Sequence, residues 1–243
     1  MKLDVIVFAA HPDDAELSMG GTIAKLTDSG LKIGIIDLTR GEMSTRGTVE
    51  KRNSETESAS QILKITLRNN LDFEDGSIKN NDEYLLQIIK KIRKHQPEII
   101  FAPFWNDRHP DHIGASQLIK EAMFKSGLQK IETVDNGIIQ VHYRPKRLFY
   151  FMQTYEFIPS FIVDITATFE TKMKSIYAYD SQFYDPSSNE APTFISDPKF
   201  LKYIEARARY FGFKIGKEYG EAFYCEEFIE MDLVNLIKNG GQS

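Results

Sequence analysis

Two short segments of the sequence contain most of the residues whose side chains could do chemistry. Residues 10–14 read Ala-His-Pro-Asp-Asp and residues 108–112 read Arg-His-Pro-Asp-His, so three of the five histidines lie in these two segments. Imidazole and carboxylate groups are common zinc ligands in catalytic sites, which use three protein ligands and leave a fourth position for water. Each segment alone is typical of a turn in which an aspartate caps a helix. Together they predict a metal site.

The elements that precede these segments are expected to bring them together. Residues 5–10 are an uninterrupted apolar run rich in β-branched side chains, which is typical of a strand buried on both faces, and residues 98–103 form another apolar strand. In an open parallel sheet the carboxyl ends of the strands open onto one edge, where ligands bind. The proline in each segment fixes the turn that comes after its strand. We therefore expect the two segments to meet at one edge of a sheet.

The alternation of predicted strands and helices indicates the fold class. We expect strands at 5–10, 33–38, 70–73, 98–103, 146–152 and 161–165, and helices at 15–29, 49–63, 83–94, 112–125, 169–179 and 199–212. Such alternation predicts an α/β, Rossmann-like fold with a mostly parallel sheet and helices on both faces. No linker or internal repeat divides the sequence, so we expect one domain over residues 1–243.

A long loop is predicted before the last helix. Residues 180–198 contain Pro186, Pro192 and Pro198 together with several serines and aspartates. These residue types favour turns over helices and strands, and loops of this length in a compact domain are often functional lids. We therefore interpret this segment as a lid.

Composition and charge exclude several classes of protein. The chain is 42% apolar and 12% aromatic, which is typical of a globular protein, and no apolar stretch approaches the roughly 18 residues needed to cross a bilayer. The net charge of −5 argues against nucleic acid and anionic membranes as partners, whereas a few local arginines can still bind an anionic small molecule. The single cysteine, Cys225, fits a reducing compartment, so we expect a cytoplasmic protein. We expect Cys225 to be buried, and His95 and His142 to lie at the surface.

Motifs of several other binding and hydrolase sites are absent from the sequence. Gly20 and Gly21 lack the spacing of a dinucleotide-binding fingerprint, and there is no GxxxxGK[ST] phosphate loop, HExxH or GxSxG. A non-catalytic α/β binding domain is the alternative from a different class. Failure to bind any divalent metal would favour that alternative.

Taken with other stretches of the chain, the two segments resemble the signature of the LmbE-like/PIG-L family of zinc-dependent N-acetylglucosamine deacetylases. The similarity covers nearly the whole chain and includes residues 10–16, 20–22, 37–42, 47–48, 52, 109–112, 181–183 and 219–223. The sequence most resembles the branch that deacetylates N-acetyl-α-D-glucosaminyl L-malate in bacillithiol biosynthesis. The resemblance implies hydrolysis of such an N-acetyl group, with release of acetate and the free amine. A deacetylase of another N-acetylated sugar, such as a chitooligosaccharide, is the alternative.

The resemblance also assigns roles to individual residues. It implies that His11, Asp14 and His112 hold the metal and that Asp13 is the general base. Zn²⁺ lowers the pKa of bound water and polarises an amide carbonyl. A neighbouring carboxylate that is not a ligand can take the proton of that water and deliver it to the leaving amine. Zn²⁺ suits these ligands, and Fe²⁺, Mn²⁺ or Co²⁺ can occupy the same set.

Further residues are candidates for stabilising or binding the substrate. The resemblance implies that His109 stabilises the developing oxyanion and that Asp111 orients His109, with a purely structural pair as the alternative. Because guanidinium matches the two carboxylates of malate, arginines are the first candidates for binding it. The candidates are Arg52, Arg108, Arg40 and, in the predicted lid, Tyr184. A solvated arginine or ordinary loop packing is the alternative for each. The expected partner is a small, anionic N-acetylated amino sugar, and the resemblance implies a homo-oligomer.

Overall fold

A seven-stranded sheet forms the centre of the molecule in the computed structural model, which describes residues 1–234 and residue 237. The strands of the described residues are β1 (Val5–Ala9), β2 (Ile33–Asp37), β3 (Leu67–Asn70), β4 (Ile99–Pro103), β5 (Val134–Asp135), β6 (Ile138–Ile139), β7 (Arg147–Phe151), β8 (Phe161–Asp164) and β9 (Gly220–Tyr224). Strands β5 and β6 form a separate hairpin. The order across the main sheet is β3-β2-β1-β4-β7-β9-β8.

The main sheet is mostly parallel, as the sequence predicts. Strands β3, β2, β1, β4 and β7 pair in parallel, whereas β9 is antiparallel to both β7 and β8. Strand β1 lies between β2 and β4, so the strands that follow it in the chain are added first on one side of β1 and then, from β4 on, on the other. A crevice outside the carboxyl ends of two such strands is where open α/β sheets bind ligands. The two chemical segments come directly after β1 and shortly after β4, the strands that flank this crevice.

Helices cover both faces of the sheet, which confirms the predicted fold class. They are α1 (Asp14–Asp28), α2 (Val49–Ile62), α3 (Asp82–His95), α4 (Pro110–Ser126), α5 (Phe169–Tyr177) and α6 (Phe200–Lys214), with a short 3₁₀ helix at Thr166–Thr168. Helices α3 and α4 share an apolar core with one face of the sheet, and α1 packs on the other face. In α3 the buried residues Leu85, Ile88, Ile89 and Ile92 recur at the spacing of a single helical stripe.

Helix α1 is broken near its middle, and a buried ion pair holds the break. Met19 has φ of −144°, outside the helical range. The carboxylate of Glu221 accepts hydrogen bonds from the backbone N–H groups of Gly21 and Thr22, at 3.0 and 2.6 Å, and also pairs with the ammonium of Lys172. Backbone N–H groups left without helical partners are satisfied by such side-chain acceptors. Strand β9, which carries Glu221, therefore fixes the first helix.

Most predicted elements are confirmed, and the differences have physical reasons. The predicted strand at 70–73 is shifted, because β3 is a half-buried edge strand at 67–70 without an apolar run. Strand β9 and the hairpin of β5 and β6 were not predicted. No helix or strand lies between 179 and 198, as expected for the long loop.

Two predictions about single residues outside the site have different outcomes. Cys225 is buried and His142 is exposed, as expected. The surface prediction for His95 is wrong, because His95 is buried at the end of α3 and its Nδ1 lies 2.9 Å from the carbonyl oxygen of Met1. Within the described residues, no helix is both long and apolar enough to cross a membrane.

Candidate active site

A cavity of about 430 Å³ opens at the carboxyl ends of β1 and β4. Its lining includes residues from both chemical segments, among them His11, Asp13, Asp14, His109 and His112. Its volume lies in the range of small-molecule sites, roughly 300 to 1,000 Å³. The structure therefore brings the two segments together at one mouth, as the sequence predicts.

His11, Asp14 and His112 converge within this cavity. The Nδ1 atom of His11 lies 3.4 Å from one carboxylate oxygen of Asp14, and the Nε2 atom of His112 lies 3.4 Å from the other. Bonds of 2.0 to 2.2 Å to a tetrahedral ion place neighbouring ligand atoms about 3.4 Å apart. These two separations therefore fit ligands that share one ion.

A third imidazole belongs to the same cluster. His11, His109 and His112 each offer a ring nitrogen, and the three nitrogens lie within 4.8 Å of one another. His109 is also the residue before α4, where its Nδ1 accepts the backbone N–H of Asp111 at 3.2 Å. Nitrogen and carboxylate donors of this kind suit a divalent transition metal. The side chains present therefore fit the metal that the sequence predicts.

In His11 and His112, the ring nitrogen that does not face Asp14 contacts another carboxylate. Asp107 lies 2.8 Å from Nδ1 of His112, and Asp75 and Asp111 lie 3.2 and 3.3 Å from Nε2 of His11. Such contacts fix the tautomer and the ring orientation of metal-binding histidines. Asp75 and Asp107 were not predicted from the sequence. The sequence feature that could have identified them is their position in the loops after β3 and β4, which open onto the same edge of the sheet.

The side chain of Asp111 lies beside His11. Its carboxylate accepts the backbone N–H groups of Gly76 and Ile78, at 2.7 and 3.1 Å, and contacts His11. Among the hydrogen bonds of the described residues, this carboxylate does not reach His109. Because Asp111 lies in the first turn of α4, its side chain turns toward the loop at 75–78. The carboxylate therefore lies where it can orient His11, and Asp111 contacts His109 through its backbone N–H. That Asp111 orients His109 remains a prediction.

Burial and neighbouring charges shift the pKa values of the cluster in the metal-free protein. Burial lowers the pKa of His112, but Asp14 and Asp107 outweigh this effect and raise it to about 9. Burial alone would raise the pKa of Asp14, but the two imidazoles hold it well below its usual value. Burial and the two neighbouring imidazoles lower the pKa of His109. His109 therefore differs electrostatically from the other histidines of the site.

Asp13 has an unusual backbone and an unusual environment. Its φ is 115°, a region that residues with a Cβ seldom occupy and that is often found at functional sites. Its side chain is buried, and burial raises its pKa to about 7 although Arg52 opposes the shift. Among the described residues, its carboxylate makes no hydrogen bond to the three histidines. Asp13 thus contacts Arg52, whereas the neighbouring Asp14 contacts the imidazoles of His11 and His112.

Two of the predicted substrate-binding residues line the cavity. Arg52 is buried, and its Nη1 donates to the carbonyl oxygen of Pro12 and to the Asp13 carboxylate, at 2.5 and 3.1 Å. Arg108 is exposed at the mouth, and its guanidinium lies 4.3 Å from the ring centroid of Phe194. Arg52 is thus paired with an acid, whereas among the described residues Arg108 contacts an aromatic ring and forms no ion pair.

The other two predicted substrate-binding residues do not line the cavity. Arg40 is half-exposed and forms an ion pair with Asp72 at 2.5 Å. Tyr184 is 55% exposed, because the preceding residue Phe183 occupies the buried position in this part of the loop. Neither side chain lines the cavity in this structure, and their roles in binding substrate remain predictions.

The predicted lid contributes to the cavity through other residues. Ser181 donates from its backbone N–H and its hydroxyl to Glu55 of α2, at 2.8 and 2.9 Å. Further along the loop, Thr193, Phe194 and Ile195 line the cavity. The loop is thus anchored on α2 at one end and forms part of the cavity wall at the other. These three wall residues were not predicted from the sequence, because an apolar pair within a loop has no distinctive pattern.

Gln153 is a further polar residue of the cavity that was not predicted from the sequence. It lies just after β7, and its Nε2 lies 3.3 Å from Nε2 of His112. Its Oε1 accepts the hydroxyl of Ser18 at 2.9 Å. Arg207 of α6 donates to the backbone carbonyls of Gln153 and of Leu17. A single glutamine after a strand belongs to no motif, so only the fold reveals its position.

Comparisons with known proteins identify the family of this chain. Residues 6–123 match the family described as PIG-L: GlcNAc-PI de-N-acetylase. The diacetylchitobiose deacetylase of Thermococcus kodakarensis is 32% identical over 228 residues, which are 89% of this chain and 80% of that protein. The residues of this chain that match the family include both chemical segments.

Solved structures show the same fold. A conserved protein from Thermus thermophilus is 38% identical, with a TM-score of 0.85 and coverage of 94% of this chain and 97% of that one. The N,N'-diacetylchitobiose deacetylase from Pyrococcus horikoshii, solved with an inhibitor, is 28% identical with a TM-score of 0.78. The match covers 90% of this chain and 82% of the Pyrococcus horikoshii protein.

The fold and the cluster of imidazoles and carboxylates define a metal-dependent amide hydrolase. Within that class, the chain belongs to the PIG-L deacetylase family. This confirms the family resemblance found in the sequence.

Proposed function

We propose that this enzyme removes the acetyl group from a small N-acetylated glucosamine sugar of the chitooligosaccharide type. The observation that carries the proposal is the convergence of His11, Asp14 and His112, with the separate carboxylate of Asp13 lining the same cavity. The similarity to two diacetylchitobiose deacetylases supports the choice of sugar. This substrate class is the alternative expected from the sequence, and the relatives favour it over the malate conjugate.

The residues of the cavity divide the work of amide hydrolysis. We propose that His11, Asp14 and His112 bind Zn²⁺, or Fe²⁺, Mn²⁺ or Co²⁺ in its place, which would polarise the acetyl carbonyl and lower the pKa of water. Asp13 takes a proton from the attacking water and delivers it to the amine as the C–N bond breaks. The products are acetate and the free amino sugar. His109 stabilises negative charge on the acyl oxygen.

The surroundings of Asp13 support its role as the base. A general base is most effective when its pKa lies near the working pH. Burial raises the pKa of Asp13 to about 7, and Arg52 limits the shift. In the metal-free protein the carboxylate therefore binds a proton more tightly than an exposed aspartate does.

One observation favours a second candidate substrate, N-acetyl-α-D-glucosaminyl L-malate. Arg108 lines the cavity and, among the described residues, forms no ion pair with a carboxylate. Arg52, by contrast, is already paired with Asp13. A guanidinium group without an acidic partner matches the carboxylates of malate. Arg108 is therefore the residue through which an anionic substrate would be recognised.

Acetate release from a small panel tests both candidates. The panel contains N,N'-diacetylchitobiose, N-acetylglucosamine and the malate conjugate, with the metal content of each preparation measured by elemental analysis. We expect the highest kcat/KM on diacetylchitobiose. A strong preference for the conjugate, lost in Arg108→Gln without loss of activity on neutral sugars, would establish the malate candidate instead. A protein that holds metal but releases acetate from none of the three would contradict the proposed function.

A further inference from the structure

The oxygen and the nitrogen of the Gln153 side-chain amide contact different groups. Its oxygen accepts the Ser18 hydroxyl at 2.9 Å, and its nitrogen lies 3.3 Å from Nε2 of His112. Because the amide oxygen can only accept and the amide nitrogen can only donate, the Ser18 contact turns the N–H groups toward the cavity. The backbone of Gln153 is held in addition by Arg207. The direction of the amide is thus set by α1, and its position by α6.

Metal binding changes what this amide nitrogen can contact. His112 must present a lone pair on Nε2 to a metal, because its Nδ1 faces the Asp107 carboxylate at 2.8 Å. That lone pair is then no longer available to Gln153. Among the described residues, His112 Nε2 is the only partner of the Gln153 amide nitrogen. A donor beside the metal is therefore left for a group that is not part of the protein.

We propose that Gln153 is a substrate-binding residue whose amide N–H donates to an oxygen of the substrate beside the metal. Two oxygens have the required chemistry, the acyl oxygen and a hydroxyl of the sugar. This inference rests on the proposed deacetylase function and assigns one more contact within it. Ser18 is a positioning residue, since its hydroxyl acts only through the orientation of the amide.

The test compares Gln153→Met with the wild-type protein. Methionine keeps the length of the side chain but has no N–H donor. We expect kcat/KM on diacetylchitobiose to fall about tenfold or more, as for loss of a hydrogen bond within a binding site. The affinity for Zn²⁺, measured by competition with a chelator, should remain within about threefold of wild type, because the ligands are intact. Gln129→Met, the same change on an exposed residue outside the cavity, should alter neither quantity.

Product inhibition identifies which substrate oxygen is bound. A raised inhibition constant for acetate alone indicates the acyl oxygen, and a raised constant for the deacetylated sugar alone indicates a hydroxyl. Gln153→Glu keeps the acceptor for Ser18 but lacks the N–H, so it should raise the same inhibition constant as Gln153→Met. Ser18→Ala should show a smaller change of the same kind.

Two outcomes would overturn the inference. A parallel loss of Zn²⁺ affinity and activity in Gln153→Met would mean that Gln153 only supports His112. Unchanged kcat/KM and unchanged inhibition constants, at full metal content, would mean that its N–H contacts no substrate. Both outcomes presuppose that the wild-type protein releases acetate, so failure of the proposed function itself would be seen separately, in the wild type.

Discussion

Arg52 is bound to Asp13 from the protein side of the cavity. Its Nη1 lies 3.1 Å from the Asp13 carboxylate, and both side chains are more than nine-tenths buried. The same nitrogen donates to the carbonyl oxygen of Pro12, so the guanidinium holds both the backbone and the side chain of this turn. Arg52, which is expected from the sequence to bind substrate, therefore also contacts and can position the proposed base.

Arg52→Met is expected to impair the base and to lower stability. Loss of the guanidinium leaves Asp13 buried without its ionic partner, which costs on the order of 3 to 5 kcal/mol in the free energy of unfolding. We expect kcat to fall about 10- to 100-fold while metal content stays at the wild-type level, since Arg52 contacts no proposed ligand. Steady-state kinetics and elemental analysis measure these effects. Arg144→Met, which removes an exposed arginine outside the cavity, is the control and should leave kcat unchanged.

Asp13→Asn should separate metal binding from turnover. The substitution preserves shape but removes the proton acceptor, so we expect kcat to fall by about 10²- to 10⁴-fold, the usual contribution of a general base. His112→Ala should instead lose the metal itself. Metal content and acetate release are measured on the same preparations. Substantial activity in metal-loaded Asp13→Asn would show that another group accepts the proton.

Asp107→Ala should weaken metal binding although Asp107 is not among the proposed ligands. Asp107 orients His112 through Nδ1 and is itself held by the backbone N–H of Thr154 at 2.7 Å. Loss of such a supporting carboxylate typically lowers metal affinity 10- to 100-fold. Chelator competition measures the affinity. Asp72→Ala, which removes an acid from the surface pair with Arg40, should leave it unchanged.

The residues of the proposed metal centre can be brought together from the sequence, because chain order and local pattern both point to them. Apolar runs of β-branched residues define β1 and β4, and a parallel sheet then places the segments after these two strands on one edge. Helix α3 was predicted within a residue or two because its apolar stripe has a regular period.

The residues that sequence reasoning missed depend on contacts between distant parts of the chain. Gln153 reaches the site from β7 and Asp75 from the loop after β3, and neither has a local signature. Arg40 and Tyr184 lie outside the cavity lining, because Arg40 pairs with Asp72 at the surface and Phe183 takes the buried position beside Tyr184. Strand β9 is short and begins with a glycine, so its pairing with β7 and β8 is visible only in the assembled sheet.

The metal-free protein should lose stability as the pH rises from about 6.5 to 9. The pKa of His112 is raised from 6.5 to about 9 because Asp14 and Asp107 outweigh the effect of burial. A group whose pKa is higher in the folded state stabilises the fold fully below its unfolded pKa and loses this effect as pH rises through its folded pKa. The shift corresponds to about 3 kcal/mol. Thermal unfolding after chelation should show the decline in wild type and a weaker one in His112→Gln.

The ion pair that holds the break in α1 should be important for stability but not for chemistry. Glu221→Leu leaves the Lys172 ammonium buried and removes the acceptor for Gly21 and Thr22, so we expect a loss of about 3 to 5 kcal/mol in the free energy of unfolding. In Lys172→Met the carboxylate keeps its two backbone donors, so the loss should be smaller. The double variant Lys172→Met/Glu221→Leu should be less destabilised than the sum of the single variants, because no unpaired charge remains. Denaturant unfolding of the wild type, the two single variants and the double variant gives the coupling free energy between the two charges. The exposed ion pair of Lys146 and Glu98 is the control, and the same set of variants at that pair should show little coupling. Strict additivity at Lys172 and Glu221 would mean that the two charges do not stabilise each other.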